Sequence, residues 1–184
     1  MTAGDAIRRL SRTALCLALL LAQPALADWR PALQDGRLVG SGDFTWFGLR
    51  LYSARTFSPV TPLAWSQPFV LELTYHRSLS RDTLVEASLD EMRRLGGPDL
   101  SEATLARWAA LMREAFVDVR PGTRIAGLYQ PGKGGSFYVD GQLRRQFDDA
   151  AFVRGFFAIW LDPRARDPQL RQRLSGLSAN DRGE

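Results

Sequence analysis

The stretch DVRPGTRIAGLYQPGKGGSFYVDGQLRRQFDDAAFVRGFFAIWLDPRARDPQL, Asp118 to Leu170, decides the fold. Arg120-Pro121-Gly122 turns the chain into a strand over Thr123 to Gln130, and Pro131 to Gly135 reads as a Gly-rich turn. Asp140-Gly141 is the pair favoured in a type I′ hairpin, whose two central residues both need positive φ. It joins Phe137-Tyr138-Val139 to Leu143–Phe147. Asp148 or Asp149 is placed to cap an apolar helix that ends at Leu161. Pro163 and Pro168 bracket a turn, and a short helix then runs to Leu174, with Gly176 closing it. Nothing in the stretch reads as a nucleophile or a metal ligand. It supplies rings, including Tyr129, Phe137, Phe152, Phe156, Phe157 and Trp160, which suit a sheet-on-helix core and an apolar pocket.

Working outward, Arg37 to Phe47 and Leu49 to Phe57 read as two strands meeting at Gly48, after an irregular lead-in over Asp28 to Asp35. Ser58 to Gln67, with Pro59 and Pro62, is a loop. Phe69 to Arg77 is the clearest strand: Phe69, Leu71, Leu73, Tyr75 and Arg77 share one face, and Val70, Glu72, Thr74 and His76 the other. Ser80 is a fitting N-cap for a helix to Leu95, which Gly96-Gly97-Pro98 stops. Ser101 opens the next helix, with Leu100 and Leu105 as its hydrophobic staple. Antiparallel strands with segregated helices give an α+β class, an antiparallel sheet packed against a layer of helices. The expected organisation is a signal peptide over 1–27, one domain over 28–177 and a disordered polar tail over 178–184.

The leader is read from its three regions. Arg8, Arg9 and Arg12 form a basic start, Thr13 to Ala22 an apolar run, and Ala25-Leu26-Ala27 a small-residue cleavage site. The apolar run falls short of the roughly twenty residues a spanning helix needs. Cleavage after Ala27 and export to a periplasm are expected. Leu15 before Cys16 argues against a lipoprotein. Cleavage would remove the only cysteine and leave 157 of the 184 residues, with 21 basic against 19 acidic. A chain of that length buries roughly 70% of its unfolded surface. Lys133 is the only lysine, so the high pI reflects arginine use and not excess charge. That balance argues against a nucleic-acid partner, which needs a clustered basic face. The mature chain is expected to carry no transmembrane segment. A protein partner is compatible with the sequence.

The candidate chemistry is sparse. Gly127 to Lys133 fits G-x-x-x-x-G-K, but Gly134 stands where magnesium needs Ser or Thr, and a strand follows in place of a helix. His76 is the only histidine, without a G-x-S-x-G elbow or further imidazoles, so a metal site is not expected. Glu86, Asp90 and Glu91 read as the water-facing side of their helix, near Arg93 and Arg94. The candidate ligand-binding residues are two pairs on neighbouring strands, Tyr75 with Arg77 and Arg50 with Tyr52. If the apolar face before them lines a pocket, an Arg and a phenol at its mouth suit a carboxylate or phenolate. Packing of the tyrosine in the core, with arginine reaching water, is the plainer alternative.

GLYQPGKGGSFYVDGQ (Gly127 to Gln142) followed by FVRGFFAIWLDP (Phe152 to Pro163) resembles the bacterial exported branch of the chalcone isomerase-like family. The segments Leu38 to Phe57, Pro68 to Gly96 and Trp108 to Thr123 agree in order and spacing. The resemblance implies an open-faced sandwich and a cleft that works without a cofactor. Chalcone isomerases close a ring by attack of a phenolate on an enone, using hydrogen-bond donors at the developing enolate. Thr45 in DFTWFG resembles the family's early Thr, and Arg37 lies in the region of its early Arg. The Tyr, Asn and late Thr positions fall near Ser80, Ala87 and Ile159. Most of the reactive set is therefore missing, and no catalytic residue carries over. The family also contains non-catalytic members that bind fatty acids.

Three readings follow from the sequence. The first is non-catalytic binding of a small apolar or amphipathic ligand such as a fatty acid. The second is a cofactor-free isomerase or intramolecular lyase with an altered donor set. The third is an envelope protein whose aromatic core is structural and whose surface binds another protein.

Overall fold

The computed structural model describes residues 28–177, and the expected leader and tail lie outside the described residues. Six strands form one sheet in the order β1-β2-β3-β4-β5-β6, every neighbouring pair antiparallel. They are β1 (Arg37–Trp46), β2 (Leu49–Ser58), β3 (Phe69–Tyr75), β4 (Arg124–Gln130), β5 (Gly134–Val139) and β6 (Gln142–Phe147). Helices α1 (Arg81–Gly96) and α2 (Glu102–Ala115) lie between β3 and β4, and α3 (Ala150–Leu161) and α4 (Pro168–Leu174) follow β6. Order and class agree with the α+β expectation.

Each helix opens on an oxygen that accepts a backbone N–H otherwise lacking a partner. Ser80 accepts from Thr83, Ser101 from Thr104, Asp149 from Phe152 and Asp167 from Leu170. Alternation along β3 and β4 sends Phe69, Leu71, Leu73 and Tyr75, with Ile125 and Tyr129, into the core beneath the helices. From α3, Phe152, Val153, Phe156 and Phe157 fill that core from above. The edges of Phe69 and Phe137 meet neighbouring rings at 5.1 Å, Phe69 with Phe157 and Phe137 with Phe156, the geometry favoured by ring quadrupoles. Gly134 turns the chain at φ 110°, where a Cβ would stand 1.9 Å from the Phe147 carbonyl oxygen. The G-x-x-x-x-G-K segment before it runs from the second half of β4 through the turn that leads into β5.

The opposite sheet face carries a second, smaller core. Trp29 and Leu33, in the lead-in, pack on Val70, Ala126, Leu128 and Tyr138. The Trp29 indole N–H donates to Glu72 at 3.2 Å, and Arg55 pairs with the other Glu72 oxygen at 2.6 Å. The lead-in, read as irregular, thus covers part of the sheet and includes a 3-10 turn over Arg30–Ala32.

Two local departures matter for the site. Strand β3 stops at Tyr75, and His76 and Arg77 lie in a bend, so the alternation that placed Arg77 on the face of Tyr75 ends two residues too soon. In β2 the register breaks: Phe44 faces Tyr52 and Thr45 faces Arg50, leaving Leu51 as an extra residue. Such a bulge reverses the parity of what precedes it.

Candidate functional site

Between one end of the sheet and the helices lies a cavity of about 420 Å³, within the size range of small-molecule sites. Strands supply Phe44, Tyr52, Leu73, Tyr75 and Ile125, helix α1 supplies Leu84, Ala87 and Ser88, and α3 supplies Phe156, Ile159 and Trp160. The mouth is polar, with Asp90, Glu91, Arg166 and Asp167. The walls are aliphatic and aromatic because these strand and helix faces are the ones turned toward the core.

Of the four sequence candidates, Tyr52 and Tyr75 line the cavity together, their rings 5.8 Å apart. Arg50 and Arg77 are not among its lining residues. The bulge at Leu51 turns both Leu51 and Tyr52 to the cavity, while Arg50 pairs with Asp43 at 3.2 Å. Arg77 is exposed in the bend after β3. Glu91 also departs from expectation: its side chain is only 13% exposed and lies at the cavity mouth. Arg166 and Arg94 grip it, each at 2.6 Å. Burial pushes the Glu91 carboxyl up, but its hydrogen bonds and the charges of the two arginines outweigh this and hold it below the usual carboxylate range.

Tyr52 accepts a hydrogen bond from the Trp160 indole N–H at 2.9 Å, so its own hydroxyl proton remains available. Burial raises the Tyr52 phenol well above its ordinary value, and the negative charges of Asp167 and Glu91 add to the effect. Burial does the same to Tyr75, which is 5% exposed. Both phenols are therefore protonated donors at neutral pH, not bases. Arg166 was missed in the sequence because it sits in a Pro-bracketed loop remote from the strands. Its closeness to Glu91, 75 residues away, belongs to the tertiary fold.

On the outer sheet face, Ser53 lies 2.7 Å from His76 Nε2 and donates to Asp43 at 2.6 Å. That Ser53 bond, with help from Arg50, lowers the Asp43 carboxyl. Serine stands in the middle of this trio. No carboxylate orients the imidazole as a hydrolytic triad requires. Among the described residues, no cluster of His, Cys, Asp or Glu could hold a metal ion, and no helix is long and apolar enough to cross a membrane.

This architecture, a meandering sheet with helices on one side and a pocket between, defines a chalcone isomerase-like domain. The family model described as chalcone isomerase-like matches residues 50–176, more than half of the chain, and the chain belongs to that family. Among solved structures it is similar to an Arabidopsis thaliana fatty-acid binding protein, with a TM-score of 0.61 and 14% identity over 84% of this chain and 92% of that one. At that identity the likeness is one of fold. No curated protein sequence matches the chain. The positions nearest the family's Asn and late Thr, Ala87 and Ile159, do line the cavity, but carry no donor. Ser80 is spent on capping α1, and Thr45 is exposed outside the lining.

Proposed function

We propose that this protein binds a small apolar or amphipathic ligand, such as a fatty acid, without transforming it. The observation that carries this reading is the 420 Å³ apolar cavity with its polar mouth. The ligand's hydrocarbon lies against Leu73, Leu84, Phe116, Ile125 and Phe156, and its polar end stays at the mouth near Arg166. A carboxylate drawn deeper would lose its hydration with only neutral phenols to replace it, a costly exchange. The fold shared with a fatty-acid binding protein supports the reading.

Native mass spectrometry of the protein purified from cells tests it, together with the change in Tm on adding palmitate. A co-purified lipid or a palmitate-dependent rise in Tm is expected. A lipid-free protein whose Tm ignores fatty acids of every length would overturn the reading. Arg166→Leu should weaken palmitate binding, whereas Arg77→Leu should leave it unchanged.

One observation favours a second reading. Two protonated phenols in one apolar cavity could donate to a developing oxyanion, as a cofactor-free isomerase with an altered donor set requires. A chalcone-cyclisation rate equal to that in buffer would remove chalcones as its substrate. We also propose export to a periplasm with cleavage after Ala27, on the strength of the basic, apolar and small-residue regions of the leader. Sequencing the N-terminus of protein recovered from a periplasmic extract checks this. Asp28 is the expected first residue.

A further inference from the structure

The β1–β2 turn exposes three large apolar side chains side by side: Phe47 at 90%, Leu49 at 51% and Trp46 at 45%. Its central residues, Phe47 and Gly48, have φ of 47° and 76°. Both positions of such a turn favour Asn, Asp or Gly, and a bulky residue at positive φ is an outlier. Phe47 therefore costs the fold twice, through backbone strain and through an exposed phenyl ring, and it contacts nothing in the core in return. A residue kept against both preferences points to a role outside folding.

The tip is continuous with the cavity. Rings run from Phe47 to Trp46 at 5.2 Å, from Trp46 to Phe44 at 6.4 Å, from Phe44 to Tyr52 at 5.1 Å and from Tyr52 to Tyr75 at 5.8 Å. Trp46 belongs to both the tip and the cavity wall. Three arginines lie near the tip: Arg166 stacks over Trp46 at 5.8 Å while paired with Glu91, Arg50 follows Leu49 and pairs with Asp43, and Arg77 is exposed at the same end of the sheet. An exposed turn of Trp, Phe and Leu, with arginines at the same end of the sheet, matches the interfacial zone of a bilayer. Aromatic rings settle there at headgroup depth, and arginines meet lipid phosphates.

We propose that the Trp46-Phe47-Gly48-Leu49 turn docks this protein on a lipid bilayer, so that the cavity mouth exchanges its ligand with the membrane. The exchange rests on the ligand-binding reading above; the docking does not. A second copy of the chain suits the tip less well, because two such turns bury little of each other, whereas a fluid bilayer deforms around one.

Flotation with phosphatidylcholine vesicles containing a minority of phosphatidylglycerol tests the docking. The protein is expected to float with the vesicles. Phe47→Asn should lower its partition coefficient about tenfold, the factor for withdrawing one phenyl ring from an apolar phase. Asn suits the turn, so the variant's urea midpoint should equal or exceed that of the parent, which separates lost docking from lost folding. If the parent stays with the soluble fraction, or both proteins float alike, docking through this turn is wrong. A concentration-dependent dimer abolished by Phe47→Asn, without flotation, would assign the tip to a second copy and overturn the proposal. Palmitate binding measured without vesicles reports separately on the ligand reading, and Phe47→Asn should leave it unchanged.

Discussion

Removing the Tyr52 hydroxyl leaves the Trp160 indole N–H without its acceptor in a nearly buried position. Tyr52→Phe should lower stability by about 1–3 kcal/mol, the cost of a buried donor left unpaired, read as a shift in the urea midpoint at constant slope. The same change should weaken an oxygen-bearing ligand and spare a pure hydrocarbon of equal size. Tyr52 was legible as a candidate because it pairs a phenol with an arginine on the strand beside Tyr75 and Arg77. Its neighbour Arg50 was mispaired with it, because a bulge leaves no trace in residue types alone and reverses every parity beyond it.

Among the elements, α4 closes the molecule by lying on β1. A Cβ on Gly40 would stand 1.7 Å from the Arg173 carbonyl oxygen, and Thr56 donates to the carbonyl of Leu174 beside it. Gly40→Ala should force α4 off the strand and cost about 1–3 kcal/mol, as overpacking does, whereas Gly48→Ala should not disturb α4. Thermal unfolding of the two variants compares them. Glu91 joins α1 to the loop before α4 through Arg166. Its folded carboxyl is held below its unfolded value of about 4.3. The stability it contributes is present above that pH and fades as pH falls through the lower folded value. Between pH 6 and pH 3 the parent should therefore lose more stability than Glu91→Gln, as measured by urea denaturation at each pH. Ser80 and Ser101 were readable as caps from the sequence, and Asp149 as one of two neighbouring candidates, since Ser and Asp before an apolar run have a local reason to be there; Asp167, before a short helix, was not.

The whole molecule is a half-covered sheet whose helices leave room at one end. Ala87, at the rim of that space, is exposed. Ala87→Trp should plug the mouth, abolish the palmitate-dependent rise in Tm and leave the apo protein's Tm within a few degrees of the parent's. A plugged variant that still binds palmitate would place the site elsewhere. A ligand held only by the folded state stabilises it by RT ln(1 + [L]/Kd), so the size of the shift reports affinity.

Sequence alone determined the class, the order of the elements, most of the caps and the turns, because each rests on periodicity or on a local backbone need. It also supplied the two tyrosines of the cavity and the family resemblance. The tertiary structure decided what depends on distance across the chain: the hollow itself, the mouth made by Glu91 and Arg166, and the second small core under Trp29. A cavity is a mismatch between surfaces contributed by separate segments. No one segment records it, and its shape exists only once the sheet and the helices have packed.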